Sequence, residues 1–584
     1  MNKRSIGIVH TEIMGIPLPD GDFKLERGGT LSRVEVAFER YGKLSEKGDN
    51  VILVCHALSG DAHAAGYHTN DEKSVGWWDN MIGPGKGIDT ERFHVICSNI
   101  LGGCKGTTGP SSINPATGEI YATNFPEITI GDMVELQKKL LDLLSIRRLY
   151  GVIGGSAGGL QVLEWCVRYP DFIEKAVCIA ATESLSAQAL SFDIVARNII
   201  MADPLWNDGY YYGRDIPNKG LSLARMIGHI TYLSKESMDV KFGRERREDR
   251  ERSPFNTDFQ VESYLDYQGR SFVERFDANS FLYITAAMDS FSLTERGGSL
   301  DEVFRKLESK FFIISVSSDW LYPAEQSKEL AENLLISGKD VTYCNLASQF
   351  GHDSFLISNS DLNSLIYSFF EDPYSSNKKD QIFDEAHIKD FEIIARMIKP
   401  SSKLLDLGCG DGSFLQKMLI RDSVSVHGID IDVKNIIECN RKGVSVFQVD
   451  LDEGLGMIPD NFYDYAILSR TLQEVHKPHL VLTEMLRVAR MGIVSFINFA
   501  NWKQRVVLSI KGCLPLSQKM TNKWYNTPNI HFLSLNDFKD FCMENDISIL
   551  EVVSIPNGIT SHIFTYLKRY NIGADRVIVK ITKK

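Results

Sequence analysis

Two α/β domains in tandem, the first interrupted by a helical insertion, are what this sequence predicts. Three observations predict them. Short apolar runs alternate with helical patterns along most of the 584 residues, as βα units around parallel sheets do. Between Thr182 and Thr294 that alternation stops: apolar residues recur at helical spacing and strand-like runs are scarce. A polar stretch from Glu371 to Asp380, with Pro373 and no apolar period, then separates the first βα series from a second. The expected division is residues 1–371 with the insertion at about 182–295, a linker at 372–383, and a second domain at 384–584.

In the first series Val51 to Cys55, His94 to Ser98, Leu149 to Ile153, Ala176 to Ile179 and Phe311 to Val316 read as buried parallel strands. Gly154-Gly155-Ser156-Ala157-Gly158 follows one of them and precedes a helical pattern from Leu160 to Arg168. Strand, glycine turn and helix make G-x-S-x-G a nucleophile elbow. The serine takes a strained backbone there, and glycines at 154 and 158 let strand and helix cross closely. In the insertion, Gly243 to Arg252 alternates charge sign. It reads as a solvated surface face, with contact to a phosphorylated cofactor as the alternative.

Bulk properties narrow the function classes. The chain is 43% hydrophobic and 24% charged, ordinary for a globular protein, and its net charge of −12 argues against nucleic acid as a partner. No apolar run reaches the length of about 18 residues that spans a bilayer, and no signal-peptide pattern follows Lys3 and Arg4. The ten cysteines form no CxxC pair. The expectation is reduced thiols, no metal and a cytoplasmic location.

A serine nucleophile needs a base, an acid that orients the base, and an oxyanion hole. Downstream of Ser156 a strand ends at Ser317-Ser318-Asp319-Trp320, and Phe350-Gly351-His352-Asp353 comes later. Ser, Asp, His is the chain order of α/β-hydrolases. His352 would take the Ser156 proton, and Asp319 would hold the imidazole. The oxyanion amides would be those of Ala157 and of Leu58, in the turn after Val51 to Cys55. Asp353 suits either a helix N-cap or a contact to a substrate amine. His56 and His63 suit structural roles bracing the oxyanion turn.

In the second series Lys403 to Leu407, Ser425 to Ile429, Val444 to Val449, Tyr465 to Ser469 and Gly492 to Ile497 read as strands of a doubly wound, Rossmann-like sheet. Asp406-Leu407-Gly408-Cys409-Gly410-Asp411-Gly412 ends a strand and opens a helix. Its glycines let a cofactor lie against the backbone. Asp430 ends the next strand, where an acidic side chain reaches ribose hydroxyls, and Asp450 ends the third.

Several stretches are specific enough to resemble a family. His56 to His63, Gly76-Trp77-Trp78-Asp79 through Gly85, Asn99 to Pro110, Ser317 to Leu321 and Gly351 to Leu356 resemble MetX-type homoserine O-acetyltransferases of the α/β-hydrolase superfamily. The resemblance covers about residues 8 to 370. It implies acetyl transfer from acetyl-CoA to the hydroxyl of L-homoserine in methionine biosynthesis, by ping-pong through acetyl-Ser156. It also implies that Arg225 and Asp353 bind the amino acid, and that the chain forms a homodimer through the insertion. A guanidinium suits the α-carboxylate and a carboxylate the α-ammonium. The family usually has methionine after the nucleophile; Ala157 stands there in this chain. Relatives that take succinyl-CoA carry arginine two residues after the aspartate, where this chain has Leu321. Succinyl transfer, serine as acceptor and plain ester hydrolysis stay open at this point.

The second series resembles class I S-adenosylmethionine-dependent methyltransferases. Ser469 to Gln473, Glu484 to Val488, Val494 to Phe499 and Trp524 to His531 narrow the resemblance to MetW-like methionine biosynthesis proteins over about residues 384 to 555. It implies that Asp406, Gly408, Gly410, Gly412, Asp430 and Asp450 hold S-adenosylmethionine or S-adenosylhomocysteine. The implied role is support or regulation of homoserine acylation, with methyl transfer as the alternative.

Overall fold

The computed structural model describes residues 5–19, 21–70, 75–247, 259–295, 298–371, 385–422, 424–513 and 530–584. The expected linker at 372–383, the part of the charged stretch from Glu248 to Arg252, and Trp524 to Asn529 lie outside the described residues. The chain divides into two compact units, Met1–Phe370 and Glu371–Lys584.

In the first unit, eight strands run in the order β1-β2-β4-β3-β5-β6-β7-β8. They are β1 Glu12–Gly15, β2 Glu35–Tyr41, β3 Val51–Cys55, β4 His94–Ser98, β5 Leu149–Gly155, β6 Ile173–Ile179, β7 Lys310–Val316 and β8 Val341–Leu346. The pairs among β3 to β8 are parallel, whereas β1 and β2 join antiparallel at the edge. β3 and β4 are buried at every position, which is why they read as unbroken apolar runs. Helices α1 Ile130–Leu143 and α2 Ala157–Arg168 flank the sheet. A capping box starts α1: Thr129 accepts from the Asp132 amide while Asp132 accepts from the Thr129 amide.

Among the described residues, no named strand falls between β6 and β7. The chain runs there through α3 Ala187–Met201, α4 Asn218–Tyr232, α5 Lys235–Lys241, α6 Gln260–Val273 and α7 Ala278–Asp289. In the described part of the charged stretch, the Arg244 and Arg246 guanidiniums both stack over Phe259, at 5.2 Å.

In the second unit, seven strands run in the order β11-β10-β9-β12-β13-β15-β14. They are β9 Lys403–Leu407, β10 Ser425–Asp430, β11 Ser445–Gln448, β12 Tyr463–Ser469, β13 Ala489–Ile497, β14 Ile547–Ile555 and β15 Arg576–Lys583. β9 to β13 are parallel. β15 is antiparallel to both its neighbours. The order reverses between β9 and β12, the switch point where such sheets bind ligands. No helix among the described residues is long and apolar enough to cross a membrane.

The crossing of β5 and α2 is set by van der Waals contact. A Cβ at Gly158 would stand 2.1 Å from the Cys55 carbonyl oxygen, and one at Gly154 would stand 2.5 Å from the backbone of Gly158. Gly158→Ala therefore destabilises the first unit by about 3 kcal/mol or more, whereas Gly15→Ala, which has nothing within 4 Å of the added atom, is near neutral. Thermal melting of the two variants side by side checks the contrast.

Candidate active site

The β5–α2 turn holds Ser156 at φ +57° and ψ −127°, a conformation that non-glycine residues rarely adopt. The Ser156 amide donates to the Ile179 carbonyl of β6 at 3.0 Å. The next amide, that of Ala157, enters no hydrogen bond with the described residues, and neither does the amide of Leu58 after β3. Unpaired, largely buried N–H groups are uncommon; Leu58 lines the same cavity as Ser156, and two such groups are what a receptor for a developing oxyanion would require.

Asp319 lies in the turn after β7 and His352 in the turn after β8. The Asp319 carboxylate is wholly buried. Its Oδ1 accepts from the Leu321 and Tyr322 amides at 3.0 and 2.9 Å. Its Oδ2 faces His352 Nδ1 at 2.7 Å. That bond assigns the proton to Nδ1 and leaves Nε2 as acceptor. Nε2 is buried and has no hydrogen-bond partner among the described residues. Burial alone depresses the imidazole's pKa, but the Asp319 charge and hydrogen bond, helped by Asp353, outweigh it and hold it above the ordinary histidine value. The Tyr322 ring stacks on the imidazole at 5.1 Å and 18°, and Phe355 meets it edge-on.

One cavity is lined by Ser156, Leu58, Arg225, Tyr232, Leu321 and Tyr322, among others. His352 sits against two of those walls, with ring centroids 5.1 Å from Tyr322 and 6.0 Å from Tyr232. The structure thus brings Ser156, Leu58 and Arg225 to one space, with the Asp319–His352 pair packed on the tyrosines that bound it. It makes no hydrogen bond between Ser156 and His352; such bonds often tighten only once substrate binds.

Arg225 comes from α4. Its guanidinium donates to Ser59 Oγ at 3.3 Å and lies over the rings of Phe272 and Tyr232, at 4.7 and 5.4 Å. Among the described residues no carboxylate lies within ion-pair distance of it. Asp353 adjoins the base. Burial raises its pKa, and His352 and Arg225 pull the other way. The sequence did not single out Tyr232 and Tyr322. Tyr322 directly follows the quoted Ser317 to Leu321 stretch, which is the one local signal for it.

His56 and His63 make structural contacts in the segment after β3. His56 Nε2 lies 3.1 Å from Asn99 Oδ1, and burial depresses its pKa. His63 and His68 lie 3.0 and 2.8 Å from the two oxygens of Glu39, which also accept from Tyr41 and Thr11. These four donors engage both oxygens of a wholly buried carboxylate.

In the second unit, Asp406 is buried at the end of β9 with its Oδ1 unpartnered among the described residues. Burial and the neighbouring Asp430 raise its carboxyl to about 7. Gly408, Gly410 and Gly412 all have positive φ, and nothing stands within 4 Å of a Cβ at Gly410. Asp430 is more engaged by the protein than its sequence position indicates. It accepts from the Gly410 amide at 2.8 Å, the Asp432 amide at 2.9 Å and the Asn435 side chain at 3.0 Å. Asp450 accepts from the Asp452 amide at 2.9 Å.

Comparison with known proteins follows the same division. A model of the alpha/beta hydrolase fold matches residues 50–358. A model described as methionine biosynthesis protein MetW matches residues 388–578. The chain is 41% identical over 549 residues to a bifunctional methionine biosynthesis protein MetXA/MetW of Rhodopirellula baltica, covering 91% of this chain and 88% of that one. It is 55% identical over 370 residues to a homoserine O-acetyltransferase of Methanosalsum zhilinae, covering 63% of this chain and 74% of that one. Among solved structures, a homoserine O-acetyltransferase from Bacillus anthracis is 29% identical with a TM-score of 0.57, covering 64% of this chain and 100% of that one. An esterase, E22, is 30% identical with the same score, covering 62% and 100%.

In Asp319→Asn the imidazole loses the charge that opposes burial, so its midpoint falls below that of the parent protein. Proton NMR titration of the His352 ring in the two proteins reads the shift directly.

Proposed function

We propose, for a chain that belongs to the homoserine O-acetyltransferase family and continues into a MetW-type unit, that its first unit moves the acetyl group of acetyl-CoA onto the hydroxyl of L-homoserine in methionine biosynthesis. The observation that carries this reading is the shared cavity of Ser156 and Arg225. A reactive hydroxyl and a guanidinium with no ion-pair partner among the described residues, in one space, suit an acceptor that bears a carboxylate.

The steps follow from the groups in place. His352 Nε2 takes the Ser156 proton as Ser156 Oγ attacks the thioester carbonyl. The amides of Leu58 and Ala157 receive the oxyanion. CoA leaves as its thiol with the proton from His352, and acetyl-Ser156 remains. Homoserine then enters, its α-carboxylate on Arg225 and its α-ammonium on Asp353. His352 takes the proton of the substrate hydroxyl, and that oxygen attacks the acetyl carbonyl. Ser156 regains its proton as O-acetyl-L-homoserine forms. An ammonium ion beside Asp353 favours its ionised form, offsetting the burial that raises its pKa. Leu321 gives the cavity wall an alkyl group where a succinyl donor would need a cation. Plain hydrolysis has no use for Arg225. The exposed Ile194, Val195 and Met201 of α3 and Ile230 of α4 support pairing of two chains through the insertion.

For the second unit we infer binding of S-adenosylmethionine or S-adenosylhomocysteine in a supporting or regulatory role. S-adenosylmethionine, when bound, supplies a transferable methyl group. The buried, unpartnered Asp406 oxygen and the open space at Gly410 fit such a ligand. Asp406 would meet the ammonium, and Asp430 and Asp450 would offer their remaining lone pairs to hydroxyls.

Ser156→Ala is expected to show no acetyl mass increment after acetyl-CoA treatment, read by intact-protein mass spectrometry. Arg225→Ala keeps that increment but raises the KM for homoserine by about tenfold or more, the loss of a charge-assisted pair. Unchanged homoserine saturation in Arg225→Ala would remove the substrate assignment. In the second unit, Asp406 holds a proton below pH 7 and must release it to meet a cation. Affinity for S-adenosylmethionine therefore rises about tenfold from about pH 6 to about pH 8, as titration calorimetry would measure.

A further inference from the structure

We propose that Gln161 is a positioning residue that fixes the separation of the two oxyanion amides; this rests on the reading that Leu58 and Ala157 receive the oxyanion. Gln161 lies on α2, one turn beyond Ala157, and is wholly buried. Its Nε2 donates to two carbonyls at once, that of His56 at 3.1 Å and that of Ala157 at 3.2 Å. The first belongs to the turn that carries Leu58. The second belongs to the first turn of α2. One amide nitrogen therefore ties together the two segments that each contribute half of the oxyanion hole.

The orientation of this amide is determined by its neighbours. An indole N–H can only donate, and that of Trp165 donates to Gln137 Oε1 at 2.7 Å. Gln137 must then turn its Nε2 towards Gln161, whose Oε1 accepts it at 2.9 Å. Gln161 is left with its Nε2 facing the two carbonyls. Trp165, Gln137 and Gln161 are all buried. Reversing either amide would set oxygen against oxygen and leave buried groups without partners, so the observed arrangement is the one the network specifies.

A leucine or methionine at this helix position would fill the same space. A donor shared by two acceptors does more: it specifies where both carbonyls lie. Because peptide groups are planar, fixing the His56 carbonyl fixes the His56–Ala57 plane, the one that leads into the plane carrying the Leu58 amide. An oxyanion donor displaced by about 1 Å costs on the order of 100-fold in rate.

The test uses Gln161→Met and Gln137→Glu in the full chain. Stopped-flow acylation by p-nitrophenyl acetate is measured together with steady-state acetyl transfer. In Gln161→Met, acylation and kcat fall about 10- to 100-fold, while the KM for homoserine stays within about twofold. Gln137→Glu changes no shape. Ionised, the introduced carboxylate offers only acceptors, turns the Gln161 amide around and sets its oxygen against the two carbonyls. Protonated, the same carboxyl donates to Gln161 and keeps the brace. The rate of Gln137→Glu relative to the parent protein therefore falls as pH rises through that carboxyl's midpoint. Should Gln161→Met fail to fold, Gln137→Glu alone decides. Parent-like rates in folded Gln161→Met, or a pH-independent ratio for Gln137→Glu, would overturn the brace while leaving the chemistry of Ser156 intact. Absence of an acetyl adduct in the parent protein would instead remove the proposed function.

Discussion

The 2.7 Å contact between Asp319 and His352 is the interaction on which the acyl transfer proposed for the first unit depends. Both side chains are almost wholly withdrawn from water, and burial acts against a charged imidazole. The carboxylate reverses that outcome, and its own second oxygen is held by two backbone amides of the same turn. The pair costs desolvation, which is offset only because each carboxylate oxygen has a donor. What it yields is an imidazole with a fixed tautomer and one accepting nitrogen.

Around that pair the site is made rigid by buried polar groups rather than by apolar packing alone. Glu39 gathers Thr11, Tyr41, His63 and His68 beneath the segment that follows the oxyanion turn. Gln161 holds the turn itself against α2. Networks of this kind are costly when half satisfied, so they specify one arrangement. The cavity wall is different. Arg225 has aromatic rings and a serine hydroxyl about it but, among the described residues, no carboxylate partner within ion-pair distance. A rigid backbone turn beside a guanidinium with no ion-pair partner among the described residues would separate the two demands of the proposed acyl transfer. In the proposed reaction, one group of atoms would steady the transition state and the other would select the acceptor.

The sequence showed the parallel strands and the elbow plainly because both faces of those strands are buried and the glycines of the turn have steric causes. β3, β4, β5 and β9 begin at the residues expected of them from sequence. The antiparallel edges were less legible. β2 carries Glu39 and Arg40 within it, and in β14 the polar residues Ser548, Glu551 and Ser554 recur every third position, without the period of two that marks a strand. Arg225 was reached only through resemblance, since an arginine in an amphipathic helix has no local mark of function. Gln161 left still less trace. A buried glutamine in α2 looks like any polar residue of a surface helix until the His56 carbonyl, distant in sequence, is seen beside it.

Both units place an aspartate near the carboxyl end of a parallel strand, and the two are treated in opposite ways. Asp319 has two amides and an imidazole as donors, so its charge is balanced from within. Asp406 has a second carboxylate as its neighbour, and one of its oxygens has no partner among the described residues. Burial is common to both, and the neighbours decide the result. The first arrangement is complete before any ligand arrives and suits a group that must act in every turnover. The second has its carboxyl raised to about 7 and no ion-pair partner among the described residues, as the ligand-binding role proposed for it would use. The roles proposed for the two units, acyl transfer in one and ligand response in the other, would follow from the same residue type, given only this difference in what surrounds it.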